Sequence, residues 1–366
     1  MRSLMKYVDE YRDIKLVRKV AEGIRAVTPP RQVNIMEVCG THTQNFFRFG
    51  LDKMLPANLR LIAGPGCPVC VSSQEYIDAA IALAKRKDAL ILTFGDMLRI
   101  PGTLSTLEHE RARSGNIRVV YSPLESINVA RANPDKSVVF LAVGFETTIP
   151  TIALTILAAK KEKISNLTFL CALKSITPAM DHLCRDKRLK LDGFLCPGHV
   201  SSIIGTRPYE FLVKKYRIGS CVAGFEPLDI LEGIYLLMRQ LAKNEPRVDN
   251  QYIRAVKKRG NHQAVKIINR VFQPADASWR GLGKIPKSGL VLRQEFFGFD
   301  TSKRFVFKLV KHGAKIKKCL CGEVLKGLIR PNLCPLFARV CTPDNPVGPC
   351  MVSHEGACNA YFKYRK

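Results

Sequence analysis

The chain has 366 residues, 46% of them hydrophobic, and a formal net charge of +27. That length implies two or three domains of a soluble globular protein, and no apolar run approaches the ~20 residues that span a bilayer. The charge excess invites a polyanionic partner, but the bases form short scattered runs such as Lys85-Arg86-Lys87 and Lys257-Lys258-Arg259. Aromatics do not interleave with them as in a single-strand binding groove, which argues against nucleic acid.

In chain order, the first 27 residues read as an amphipathic helix, with Leu4, Val8, Tyr11 and Ile24 near helical spacing. They mix acids with bases and lack an apolar h-region, which argues against a signal or transit peptide. The expected compartment is the cytoplasm, where thiols stay mostly reduced. There, thirteen cysteines point to metal binding or catalysis rather than a disulfide framework.

Eight short apolar segments follow: 33–38, 59–63, 89–94, 117–121, 138–143, 167–173, 192–196 and 220–224. Each precedes a turn signal and a helical pattern. Continuous apolar strands alternating with helices predict parallel sheets covered on both faces, an α/β architecture. The second four segments resemble the first four. VCGTHT parallels VGFETT at an offset of 105, IPGTLSTLE parallels IIGTRPYEF at 103, and SPLES parallels EPLDI at 104. The reading is two similar parallel-sheet α/β domains in tandem, 31–131 and 132–242. Loops outside the carboxyl ends of such strands carry function. Those ends hold Cys39-Gly-Thr-His-Thr, Gly64-Pro-Gly-Cys-Pro-Val-Cys, Phe94-Gly-Asp-Met, Val143-Gly-Phe-Glu-Thr-Thr and Cys196-Pro-Gly-His. No G-x-x-x-x-G-K-[ST] occurs, so no P-loop chemistry is inferred.

From about residue 245 the pattern becomes basic and less periodic, and six cysteines fall within 319–358. A region so rich in Pro and Gly has little core of its own and needs a cross-link. Residues 1–30 and 243–366 are assigned to a third, cysteine-rich iron–sulfur domain. Cys321, Cys334, Cys341 and Cys358 are spaced C-x12-C-x6-C-x16-C, with Cys319 before them and Cys350 among them. Zinc sites draw on C-x2-4-C pairs, and none occurs in this tail. Thiolates on separate loops suit an iron–sulfur cube better.

Taken together, MEVCGTHT, GPGCPVC, FGDMLRIPG, VGFETT, CPGHVSSIIG, AGFEPLDIL, CGEVLKG and CTPDNPVGPCMVSHEGAC resemble the HypD family of hydrogenase maturation factors over nearly the whole chain. The resemblance implies two related α/β domains and a third carrying a [4Fe-4S] cluster, with Cys321, Cys334, Cys341 and Cys358 as its ligands; Cys350 is the alternative ligand. It implies a scaffold, working with a small HypC-type partner, on which a transient Fe(CN)2CO iron is assembled. Cyanide would come from HypE/HypF-type donors and the product would serve a hydrogenase large subunit. It implies Cys39 as the iron ligand, a soft thiolate suited to low-spin iron, with His42 lowering its pKa or orienting it. Cys67 and Cys70 read as a dithiol at a helix start, where the helix N-terminus favours a thiolate; one of them could instead join Cys39 on iron. Asp96, Glu146 and His199 could relay protons, hydrogen-bond cyanide, or cap helices. Two other functions stay open: a basic iron–sulfur enzyme acting on nucleic acid, and a cluster-linked disulfide oxidoreductase. No pattern implies turnover of a small substrate, so whether the protein is an enzyme stays open.

Overall fold

The structure is a computed structural model that describes residues 5, 6, 8–307 and 319–365. All eight expected strands form: β1 Val33–Glu37, β2 Leu59–Ala63, β3 Ala89–Thr93, β4 Ile117–Val119, β5 Ser137–Gly144, β6 Leu167–Lys174, β7 Gly193–Pro197 and β8 Gly219–Ala223. β3, β7 and β8 are buried along their whole length, as strands with helices on both faces must be. Three further strands lay in the segment whose pattern looked irregular: β9 Val248–Asn250, β10 Phe272–Trp279 and β11 Gly283–Leu292. The fold class is α/β with two parallel-dominated sheets and a cysteine-rich C-terminal region.

The sheets do not divide at 131/132. The first sheet has the order β2-β1-β7-β8-β9 and the second β10-β11-β6-β5-β3-β4. Every pairing among β1–β9 is parallel. The repeat nevertheless survives in a different form. β1 and β5 begin 104 residues apart, as do β3 and β7. Replacing each strand of β2-β1-β7-β8 by its counterpart in the other repeat gives β6-β5-β3-β4, the run in the second sheet. Each sheet therefore takes the first half of one repeat and the second half of the other. The chain crosses between β2 and β3, and returns between β6 and β7. An offset in sequence reports which strands correspond, not which strands pair.

The expected third domain also changes. Helix Ile14–Val27 begins at Ile14 because the Asp13 side chain accepts from Lys15 N at 2.8 Å and Leu16 N at 3.3 Å, a cap worth about 1 kcal/mol. Its buried face, Val17, Ala21 and Ile24, packs on helix Pro227–Lys243 against the first sheet. Of the helical positions read from the sequence, Leu4 lies outside the described residues. β9 extends the first sheet, while β10 and β11 form an antiparallel hairpin that pairs Gly289 and Leu290 of β11 with Lys174 and Leu173 of β6. Only residues 319–365 remain as a separate cysteine-rich segment, and its Cys341, Cys350 and Cys358 are buried in the same apolar cluster as Cys67 and Cys70. Among the described residues, no helix is long and apolar enough to cross a membrane.

Candidate functional site

Cys39 lies two residues past β1 and is the N-cap of helix Gly40–Arg48, in extended conformation. Two loops close on it. On one side, a Cβ at Gly66 would stand 2.3 Å from the Cys39 nitrogen, and Gly40 N donates to Gly66 O at 3.2 Å. On the other, a Cβ at Gly40 would stand 2.4 Å from Cβ of Glu355 in the C-terminal segment. Glycine at 40 and 66 is thus what lets three backbones meet at one cysteine. Thr41 Oγ1 donates to Glu355 Oε1 at 2.6 Å, and Ser353 Oγ donates to Asp96 Oδ2 at 3.2 Å. The segment Ser353–Gly356 therefore ties the end of β3 to the end of β1.

The Cys39 thiol is pushed up to about 12, first by burial and then by the Glu355 carboxylate, against the pull of the His42 and Thr41 N–H groups at the helix start. It is a neutral thiol at ordinary pH, and binding a metal cation would expel its proton. The expectation that the His42 ring activates it is corrected. His42 Nε2 donates to Gly224 O at 2.8 Å at the end of β8, and burial lowers the imidazole to about 4. The ring is neutral, and it is the backbone N–H of His42 that reaches the thiol. Phe225 stacks on His199 at 3.9 Å and lies tilted against His42 at 4.9 Å, so both imidazoles contact one aromatic ring.

Glu146, beyond β5, accepts from Ile176 N through Oε1 at 3.0 Å, capping the helix after β6. Its Oε2 is buried without a partner among the described residues, and burial pushes the carboxyl up to about 7. Tyr209, buried, feels both Glu146 and Cys39, so the carboxyl ends of the two sheets face each other. Thr147, Thr148, Ser201 and Ser202 read as caps from sequence. Instead, Ser201 and Ser202 donate back to Pro197 O and His199 O at 2.7 Å each, and Thr148 holds an N-cap position without a side-chain cap bond.

Cys67 and Cys70 are both free and buried. Cys70 N donates to Cys67 Sγ at 3.3 Å and the Cys70 thiol to Pro349 O at 3.7 Å. The expected placement at a helix start is corrected: the next helix is Gln74–Ala84, and Ser73 caps it by accepting from Tyr76 N. What holds the Cys70 thiol up is contact with Cys350 and then with Cys67. Cys350 in turn meets Cys358. It lines one cavity together with Cys319, Cys321, Cys334, Cys341 and Cys358. Among the described residues no three His, Cys, Asp or Glu side chains converge as a single ion requires. Six thiols spread around one cavity suit a multi-metal cluster, whose metals take separate ligands.

The sequence reading missed Thr41, Ser353 and Glu355. The signal was present, since SHEGAC puts a charged residue between Cys350 and Cys358, but nothing local says that it reaches Cys39.

Over residues 15–365 the chain matches the HypD family model, described as "Hydrogenase formation hypA family". It is 46% identical to the hydrogenase maturation factor HypD of Rhizobium leguminosarum bv. viciae, over 98% of this chain and 96% of that protein. It is 45% identical to the hydrogenase expression/formation protein HupD of Azotobacter chroococcum mcd 1, over 98% and 97%. Against HypD of Escherichia coli strain K12 it is 41% identical over 99% of both chains.

Proposed function

Because the chain belongs to the HypD family of hydrogenase maturation factors, we propose that it is the cytoplasmic scaffold on which the Fe(CN)2CO group is assembled, in complex with a HypC-type protein and with cyanide from HypE/HypF-type donors. Cys39 binds the cargo iron and loses its thiol proton in doing so. Glu355, itself held above the usual carboxylate range by burial, fixes Thr41 beside it and closes the tail over the site. His42 and His199 stay neutral, and His42, whose Nε2 is held by Gly224 O, offers Nδ1 rather than charge. Cys321, Cys334, Cys341 and Cys358 hold a [4Fe-4S] cluster, which would supply single electrons beside the scaffold site. Cys67 and Cys70 cycle between dithiol and disulfide.

The observation that carries this reading is the convergence of three segments. The GPGCPVC loop touches Cys39 through Gly66 and the cysteine cavity through the Cys70–Cys350 contact. One loop thus adjoins both a lone thiol and a set of six. The test is infrared spectroscopy of the complex with a HypC-type partner, alongside metal analysis. Anaerobically purified protein should contain roughly four iron and four sulfide per chain from the cluster. Cys39→Ala should retain that iron and sulfide but lose the CO and CN stretching bands. Full-intensity bands in that variant would exclude Cys39 as the iron ligand, and zinc without sulfide would exclude the cluster.

A further inference from the structure

Arg60, Arg330 and Arg365 line one cavity of about 180 Å³ between the first sheet and the cysteine-rich segment. Arg60 stands on β2, an edge strand of that sheet. Arg330 precedes the one-turn helix Pro331–Leu333, and Arg365 follows helix Ala357–Tyr364. Three elements far apart in sequence thus bring three guanidiniums to one place. Tyr361 joins them. Its hydroxyl accepts from Arg365 Nη1 at 3.1 Å and feels the charge of both Arg365 and Arg330. A smaller cavity of about 20 Å³ shares Arg60, Arg330 and Tyr361 in its lining.

The protein does not balance these charges. Arginine stays protonated in proteins. Asp52 is the one carboxylate in the lining, and it approaches Arg365 Nε only to 3.9 Å. The Arg330 guanidinium has no hydrogen bond or ion pair among the described residues. Arg60 Nε is buried and has no hydrogen-bond partner among them. A buried donor on a charged group is costly to leave unpaired. Three guanidiniums against one carboxylate leave a surplus of two positive charges, which matches the roughly −1.5 to −2 of a phosphate group near neutral pH. Guanidiniums present forks of N–H donors that fit phosphate oxygens, and forks from three separate elements suit a tetrahedral oxyanion better than a planar carboxylate. The cavity is smaller than the roughly 300–1,000 Å³ that encloses a whole small molecule, so anything attached to the phosphate would lie outside.

We propose that this cavity is a binding site for a phosphate group, held by Arg60, Arg330 and Arg365. It shares no lining residue with the six-thiol cavity. The bound group bridges β2 to two separate parts of the cysteine-rich segment, so occupancy ties that segment to the first sheet.

The experiment titrates inorganic phosphate into full-length, anaerobically purified protein by isothermal calorimetry, with potassium chloride holding the ionic strength constant. Wild type should bind phosphate saturably, and Arg330→Gln should weaken that binding at least about tenfold, the loss of a charge-assisted bond. Arg25 lines neither cavity, and its Nη2 donates to Met54 O at 2.9 Å. Arg25→Gln removes the same charge from outside the site and should stay within about twofold of wild type, since salt screens it. If Arg330→Gln does not fold, Arg365→Gln takes its place. Acetate, with one charge and one planar edge, should bind at least about tenfold more weakly than phosphate. O-phosphoserine separates the sources. Tighter binding than phosphate assigns the site to a phosphoryl group carried on a larger molecule, weaker binding assigns it to the free ion, and either result supports the site. Absence of saturable phosphate binding in wild type would overturn the proposal. So would undiminished binding in the cavity variant, acetate binding as tight as phosphate, or equal losses in the Arg25 and Arg330 variants, which would report net charge alone.

Discussion

Glu146 shows how a single buried side chain makes stability depend on pH. Burial raises its carboxyl from 4.5 to about 7, so between those values the folded chain holds a proton that the unfolded chain has released. By linkage its contribution is fully present below about 4.5 and is lost as pH rises through about 7. Glu146→Gln keeps an oxygen to accept from Ile176 N and removes the titration. Urea unfolding of the variant should give a flatter stability profile across that window. At pH 8 it should gain relative to wild type by on the order of 3 kcal/mol at most, the linkage value of such a shift. An unchanged slope would mean that Oε2 is solvated. The polar residues at the strand ends thus divide by what they touch. Glu146 caps a helix with one oxygen, while His42 is occupied by a carbonyl. Cys39 alone presents an unoccupied soft ligand between two loops. Residue type and spacing nominated all three from the sequence; which of them was already committed to a partner depended on atoms far along the chain.

Loops rather than strands carry the chemistry, and glycine sets how closely they approach. Gly66→Ala would drive a methyl against backbone atoms of Cys39 at 2.3–2.6 Å. Backbone cannot give way as a flexible side chain can, so the loop must move. Overpacking of this kind costs about 1–3 kcal/mol. We expect a loss of that size in urea unfolding together with loss of hydrogenase maturation. The control is Gly95→Ala, whose nearest neighbour would be Val119 Cγ1 at 3.9 Å; it should be close to neutral. Equal effects at the two sites would show that Gly66 is not held against Cys39. At this scale the eight strands were readable from sequence, because continuous β-branched and apolar runs allow little else. The β10–β11 hairpin was not. Its exposed faces break the apolar run, and Pro274 and the glycines at 281, 283 and 289 resemble loop composition. It is a strand pair because β6 offers it an edge to join.

For the whole molecule, the exchange of half-repeats between the sheets makes the two sheets mutually dependent. β1 pairs with β7, which lies more than 150 residues further on, and β3 pairs with β5. A fragment covering 31–131 therefore holds two strand pairs that belong to different sheets. Expressed alone, it should show no cooperative urea transition and little protection in hydrogen exchange, whereas contiguous tandem domains would predict a folded unit. A cooperative transition in that fragment would count against the interleaved topology. The same interleaving brings the ends of β1, β2 and β3 to one place, where Gly66 after β2 lies against Cys39 and residues 353–356 tie the end of β3 to the end of β1. By itself the sequence determined the α/β class, the positions of β1–β8, the twofold repeat, the family, and the cysteines and strand-end residues of the candidate site. These follow from local apolar patterning and from strings of residues read in place. Tertiary structure alone decided that the repeats exchange halves, that helix Ile14–Val27 packs beside the first sheet and β9, β10 and β11 extend the two sheets, and that Cys70 meets Cys350 and Glu355 closes on Cys39. Those are contacts between residues hundreds of positions apart. They arise from shape and burial once the strands have paired, and no local pattern encodes them.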